Sequence, residues 1–457
     1  MTTGPVPKHA DRVWFAGECR ALLKLGLPVI AAQLAQVAMN FVDTTMAGNY
    51  SAPALAAVAV GGSLWMTATF FVTGLLMAVT ALVSHSFGGG RVAEVGSTVR
   101  QALWLSQGLA WIAFFTIRST APVLDWMDIE PDLIPVALGY LDAISWGLPA
   151  MCAFVVLRYY SEGVSATRPV MVISLMGLGL NIFGNYVLMY GRFGLPALGA
   201  VGCGWATAIV LWAMCAAMAA RVYFGASYRR FGVFARFDWP DAKGILGIVR
   251  LGLPIGISVF LEVSLFATVA LLMGSLGTSA VAAHQIAINV ASITFMVPLG
   301  LSMAITVRVG QAMGRGAPAD ARRSGVAGVC LALGFMASSS VVLVTLPGLI
   351  VGIYTHDAGV VAIATDLLLM AALFQLSDGA QVAGAGALRG LKDTTVPMLI
   401  TLVAYWGMGL PLGYVLGVGR AQSPQAMWVG LIVGLTVAAL CLNGRFLYIT
   451  RQRGARA

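Results

Sequence analysis

The feature that most constrains this chain is a succession of apolar runs, about twelve of them, each near the length that crosses a bilayer as a helix and each closed by a short polar break. A hydrocarbon core takes about 20 apolar residues in helical form, and inside it only helices and closed barrels satisfy their own backbone groups. Barrel strands alternate apolar and polar residues over about ten positions. Runs such as LLMAVTALV at 75–83 are continuously apolar instead, which selects helices. With 10% of the 457 residues charged, against roughly a quarter in soluble domains, nearly the whole chain is intramembrane. Helices are expected near 22–47, 53–86, 96–124, 132–160, 167–190 and 196–224, and again near 243–273, 278–311, 321–350, 360–388, 395–418 and 424–450.

Charge then sets orientation, because Lys and Arg collect at cytoplasmic helix ends. If both termini and every even-numbered break share one side, that side carries all 27 basic residues except Arg118, Arg192 and Arg420. Both ends are therefore expected in the cytoplasm. The net charge of +9 follows this topology in short scattered segments, so it does not point to nucleic acid. The first span is too long for a signal-peptide core, and no cleaved targeting segment is expected.

The chain also repeats itself. KLGLPVIAAQLAQ at 24–36 aligns with RLGLPIGISVFLE at 250–262 at an offset of 226. Gly48 then meets Gly274, and Gly88 meets Gly314. NYVLMYG at 185–191 faces GYVLGVG at 413–419, now at 228. Two six-helix halves follow, and since six is even, both enter the membrane from the same side. The expected fold is an all-α integral membrane protein of twelve transmembrane helices in two six-helix lobes, related by a parallel repeat with its pseudo-twofold along the membrane normal. The divisions are a cytoplasmic tail at 1–20, lobes at 21–224 and 243–450, a basic and aromatic cytoplasmic linker at 225–242, and a tail at 451–457. The linker reads as a loop or a short interfacial helix.

Polar residues then stand where lipid is expected. Gln33, Gln36, Asn40 and Asp43 recur at spacings of three, four and three, one face of a helix. An intramembrane charge costs about 3 kcal/mol or more and normally lines a cavity or meets a partner. Glu262 occupies the repeat position of Gln36. Asp378 precedes Gln381 on the tenth helix, and Asn181 and Asn185 lie one turn apart on the fifth. Basic residues gather at helix ends, with Arg158 nearest to an exception, so permanent ion pairing is the weaker reading for the three acids. Asp142 and Asp366 lie nearer outer helix ends and suit water. A carboxylate taken out of water gains from a proton or cation that replaces its hydration, and several carboxylate and amide oxygens together suit a hard cation such as Na⁺. An organic cation and an inorganic ion that compete for such oxygens give antiport. Pro28 and Pro254, at matching repeat positions, each remove one helix hydrogen bond before the polar stretch and are candidate hinges.

These segments carry a family resemblance. VDTTMAG at 42–48, ALAAVAVGGSLW at 54–65, the paired LGLP segments, EVS at 262–264 and ALRGLKDTTVP at 387–397 together resemble the multidrug and toxic compound extrusion (MATE) family, NorM-like branch. The resemblance spans essentially all twelve helices. It implies a V-shaped pair of lobes around a central cavity, exporting amphipathic cationic drugs or dyes in exchange for Na⁺ or H⁺ across the bacterial cytoplasmic (inner) membrane. By it, Glu262 and Asp378 take the Na⁺ site, and Asp43 with Asn181 and Asn185 takes a proton or second cation. Gln33, Gln36, Asn40 and Gln381 line the cavity.

Other classes are less well served. Cys19, Cys152, Cys203, Cys215, Cys330 and Cys441 have no metal-ligand spacing, and His9, His85, His284 and His356 are scattered. No GxxxxGK[ST] phosphate loop and no catalytic set at a common depth is present, so no enzyme activity, resident cofactor or nucleic-acid partner is expected. A lipid-linked oligosaccharide flippase of the same superfamily is the alternative, though its pyrophosphate calls for basic residues where this chain has acids. A two-lobed chain supplies its own interface, so a monomer is the simpler expectation.

Overall fold

The computed structural model describes residues 8–126, 130–420 and 422–455, and no strand occurs among the described residues. The first half comprises α1 (Lys8–Tyr50), α2 (Ala52–Leu76), α3 (Ala78–Gly88), α4 (Val92–Arg118), α5 (Ala121–Trp126), α6 (Ile134–Ser145), α7 (Leu148–Gly163), α8 (Arg168–Leu188) and α9 (Gly199–Phe224). A four-residue helix, α10 (Ala226–Arg229), opens the link, and the rest of the link is irregular. The second half comprises α11 (Ala242–Gly274), α12 (Thr278–Gly314), α13 (Pro318–Thr345), α14 (Pro347–Tyr354), α15 (Ala358–Gly390), α16 (Thr395–Thr401), α17 (Leu410–Tyr414) and α18 (Pro424–Ala455), with π-helical turns at Leu402–Gly409 and Val415–Arg420.

Among the described residues ten stretches are long and apolar enough to cross a membrane, and α6 with α7, bent by 46° where they meet, makes an eleventh. The twelfth is α4, 27 residues long, whose Arg100, Gln101, Ser106 and Gln107 dilute its apolar character. The twelve-helix all-α membrane fold read from the sequence is the one observed.

Local chemistry explains the boundaries. Ser51 and Asp357 cap α2 and α15 by accepting from the backbone N–H groups of Ala54 (3.2 Å) and Val360 (2.9 Å), which satisfies donors that a helix start leaves orphaned. α1 begins well before the apolar run at Leu22. Its Glu18 accepts from Arg308 (2.8 and 2.6 Å) and from the Ser324 hydroxyl (2.7 Å), so this polar extension is held by α12 and α13. The span Thr395–Arg420 breaks into π turns around α17, where Pro411 has no N–H to give. Gly409, Gly413 and Gly417, four residues apart, let that span approach the backbone of α18 at Gly430 and Met427, a small-residue contact usual between membrane helices.

The chain forms two compact units that divide inside α1 and α11. One, the C-unit, takes α1 up to Ile30, Gly88–Gly90 and everything from Ile257. The other, the N-unit, takes Ala31–Phe87 and Arg91–Gly256, the link included. These boundaries fall just beyond Pro28 and Pro254, at equivalent positions of the repeat. In the C-unit the early part of α1 is fixed by Glu18 and by Gly26 and Ile30 against Leu301 and Gly300. In the N-unit the early part of α11 lies on α2, with Gly252 against the Leu75 carbonyl and Gly256 against Phe71.

The two equivalent glycines face different neighbours, which yields a prediction. A methyl at Gly252 meets a backbone carbonyl that cannot yield, whereas one at Gly26 meets the end of the Leu301 side chain at 3.1 Å. Gly252→Ala should cost about 1–3 kcal/mol, as overpacking does, and Gly26→Ala much less. Thermal unfolding in detergent checks this; equal losses would refute the packing argument.

The link is tied down by α4. Arg100 donates to Asp238 (2.6 Å) and to the Gly232 carbonyl (2.7 Å), and Gln101 binds both the Trp239 carbonyl and the Asp241 N–H. Tyr228 and Ser161 share a hydroxyl hydrogen bond of 2.6 Å. Arg100, read from sequence only as a topology marker, thus clamps the link onto the N-unit.

Candidate functional site

In the N-unit the acid of α1 is enclosed by amides. Asp43 is 7% exposed, and its Oδ1 accepts from the Asn181 side-chain amide at 3.0 Å and from that of Asn185 at 2.6 Å. Its Oδ2 accepts from the Thr207 hydroxyl at 3.3 Å, and the Cys203 thiol also faces it. α8 brings the two asparagines because they lie one turn apart on its buried face, and α9 brings Cys203 and Thr207 by the same four-residue spacing. No Arg or Lys contacts Asp43 among the described residues. The Oδ1 atoms of Asn181 and Asn185 are buried and have no donor among the described residues. The pocket therefore holds one carboxylate and two spare amide oxygens.

The other residues of the α1 polar face part company with Asp43. Arg158 of α7, 5% exposed, donates to Glu162 (2.8 Å), to Gln33 (2.6 Å) and, at a long 3.4 Å, to Gln36. Asn40 is exposed, and only its backbone carbonyl is engaged, by Thr44. One helical face thus serves two clusters at different depths, and Arg158 finds its ionic partner in Glu162, an acid on its own helix.

In the C-unit α11 supplies Glu262 and α15 supplies Asp378 and Gln381. The Gln381 amide donates to Glu262 Oε1 at 3.3 Å, and the charge of Glu262 acts on Asp378. Asp378 is 4% exposed, and its Oδ1 is buried with no donor among the described residues. Two further residues join that sequence reasoning missed. Gln375, one turn before Asp378, donates to the Thr294 hydroxyl (3.0 Å), and its own side-chain oxygen is buried without a partner among the described residues. Tyr405, on the first π turn, has a buried hydroxyl without a partner among the described residues, within the field of both acids. Its neighbour Trp406 donates to the Leu261 carbonyl (3.1 Å), pinning the turn of α11 that carries Glu262. The charge of Arg389 also acts on Glu262, and Arg389 donates to Ser302 (3.1 Å).

The two carboxylates, the Gln375 amide oxygen and the Tyr405 phenol oxygen are all hard oxygen donors, and three of these groups, Asp378 Oδ1, Gln375 Oε1 and the Tyr405 hydroxyl, are buried without a hydrogen-bond partner among the described residues. Ionised carboxylates out of water cost several kcal/mol each unless compensated; a cation or a proton supplies that compensation. Two acids nearer the helix ends have partners. Asp142 pairs with Arg118 at 3.4 Å, and Asp366 accepts from Gln425 at 3.1 Å. His284 is buried and accepts from the Trp428 indole at 3.1 Å.

Comparison with known proteins follows the same division of the chain. A family model described as MatE matches twice, over residues 28–187 and 254–415, offset by 226 at the start and 228 at the end. The multidrug resistance protein PmpM of Pseudomonas aeruginosa is 46% identical over 440 residues, covering 95% of this chain and 92% of that one. The probable multidrug resistance protein NorM of Xanthomonas campestris pv. campestris is 44% identical over 443 residues, covering 97% of each. Among solved structures, a MATE transporter in a bent conformation superposes with a TM-score of 0.89 at 16% identity, covering 98% of each chain. The eukaryotic MATE transporter AtDTX14 superposes at 0.87 and 18%, covering 97% of this chain and 99% of that one.

Proposed function

This chain belongs to the MatE family, in the branch of its NorM-named relatives, and from that premise we propose that it is a secondary active multidrug exporter of the bacterial cytoplasmic membrane. It is a transporter and not an enzyme, as the family's members are. It carries amphipathic organic cations outward in exchange for Na⁺, H⁺ or both, with its termini in the cytoplasm and as a monomer. One observation carries the reading: each half of the repeat encloses a membrane-buried acid among amide and hydroxyl groups, with oxygen atoms left unpaired among the described residues.

Glu262 and Asp378 are the Na⁺ ligands, aided by Gln375 and Tyr405 and oriented by Gln381. Asp43, with Asn181 and Asn185, takes up the proton or a second cation. Gln33, Gln36 and Asn40 line the drug path, and Pro28 and Pro254 are the bending points, a role supported by the division of the units just beyond them. Each inward elementary charge is worth ~2.3 kcal/mol per 100 mV, which drives drug outward without nucleotide.

The test is ethidium movement in proteoliposomes under a Na⁺ gradient and a pH gradient, imposed separately. Export driven by at least one of them is expected; dye that stays put under both would overturn antiport.

A further inference from the structure

At the end of α15 the chain turns through Leu391 into Lys392, whose φ of 60° is left-handed. The turn closes with Lys392 N–H on the Arg389 carbonyl (2.9 Å) and Asp393 N–H on the Leu388 carbonyl (3.0 Å), the pair of hydrogen bonds that ends many helices with glycine at this position. A residue with a Cβ is costly there. Beside the turn lies a cavity of about 320 Å³ lined by Lys392, Asp393, Arg445, Ile449, Gln452 and Arg453. Asp393 is held by Arg445 Nε at 2.5 Å, while the two terminal guanidinium nitrogens of Arg445 and the whole of Arg453 have no partner among the described residues. The lining thus carries three basic residues and one acid; that acid is engaged by Arg445, Lys392 has an interaction of its own within the protein, and Arg453 with the outer nitrogens of Arg445 is left to a ligand.

We propose that this cavity binds a phosphate group, either the phosphodiester of an anionic phospholipid or inorganic phosphate. A guanidinium offers paired donors to phosphate oxygens and an ammonium adds a point charge; Gln452 supplies a neutral donor. The cavity opens where the apolar part of α18 gives way to Arg445, Arg451 and Arg453, on the basic side of the membrane, and basic pockets of this kind between membrane helices suit lipid headgroups. Arginines near a helix C-terminus also complement its dipole. That accounts for Arg453 but not for a lysine kept in a left-handed conformation at a glycine position, which is the kind of strain found where a side chain has a task.

The strain supplies the discriminating test. The full chain in uncharged detergent is titrated with short-chain phosphatidylglycerol, with phosphatidylcholine as control, and separately with inorganic phosphate, while its unfolding temperature is followed. Saturable stabilisation by at least one anionic source is expected; a response to phosphatidylglycerol alone assigns a lipid headgroup, and a response to inorganic phosphate assigns the free ion. Arg453→Gln should raise the half-saturating concentration about fivefold, the worth of one basic residue near an anionic surface. Lys392→Gly should weaken binding by a similar factor and yet unfold at a higher temperature without ligand, because the strain is gone. No stabilisation by either source, or variants that respond as the unaltered chain does, would overturn the site.

Discussion

Asp378→Asn is expected to abolish Na⁺-driven export while the protein still inserts and folds. The amide has the shape of the carboxyl group but not its charge, and a half-turn about χ2 lets its nitrogen take the place of Oδ1, which receives no protein hydrogen bond among the described residues. Nothing structural is therefore lost with it. What disappears is a buried negative oxygen for the cation, and truncating one side of a buried charge pair removes about 2–5 kcal/mol, roughly a thirtyfold to several-thousandfold loss of Na⁺ affinity. Glu262→Gln should do the same, and the double variant no worse than either single one, because residues that act as a unit are not additive. Linkage gives a second readout: an ion that binds only the folded state raises the unfolding temperature, so Na⁺ should stabilise the unaltered chain and leave Asp378→Asn unmoved. Tyr405→Phe, which removes one neutral oxygen donor, should weaken that stabilisation by about 1 kcal/mol. Persistent Na⁺ stabilisation in Asp378→Asn would remove it from the ion site.

Much of this was legible in the sequence, for physical reasons. Hydrocarbon admits few backbone solutions, so apolar length alone located most of the spans to within a few residues; it missed the polar extension of α1, which starts at Lys8, and the break between α6 and α7. A duplicated chain reveals itself at fixed offsets, and charged residues in lipid are rare enough that Asp43, Glu262 and Asp378 stand out unaided. The residues that were missed are those ordinary in any span. Thr207, Cys203, Gln375 and Tyr405 give no signal until α8, α9 and the π turn are folded around the acids. Helical periodicity also misled in part. It placed Gln33, Gln36, Asn40 and Asp43 on one face, correctly, but a face says nothing about depth, and Arg158 takes the two glutamines while Asn181 and Asn185 take the acid. The resemblance carried those two asparagines into one group with Asp43, where the geometry puts them; spacing within α8 alone did not.

Asp43→Asn should separate the two halves of the transport cycle. Asp43 differs from Asp378 in being saturated with donors: two amides on one oxygen, the Thr207 hydroxyl on the other. An asparagine keeps the accepting oxygen for Asn181 and Asn185, and Thr207, which both donates and accepts, turns to receive the new amide. The fold should therefore survive. Asp43→Ala leaves both amides without an acceptor in a buried site, at about 1–3 kcal/mol for each, and should unfold at a clearly lower temperature. Both variants lack the carboxyl group proposed to take up the proton, so both should lose export driven by a pH gradient. Yet the cluster around Glu262 and Asp378 is untouched, so Na⁺ should still raise the unfolding temperature of Asp43→Asn as it does for the unaltered chain. That pairing of results, coupling lost and Na⁺ stabilisation kept, is the mirror image of the Asp378→Asn outcome. If Asp43→Asn still exports ethidium down an imposed pH gradient at the unaltered rate, the proton travels by another residue, and the buried amides around Asp43 serve only to hold α1, α8 and α9 together.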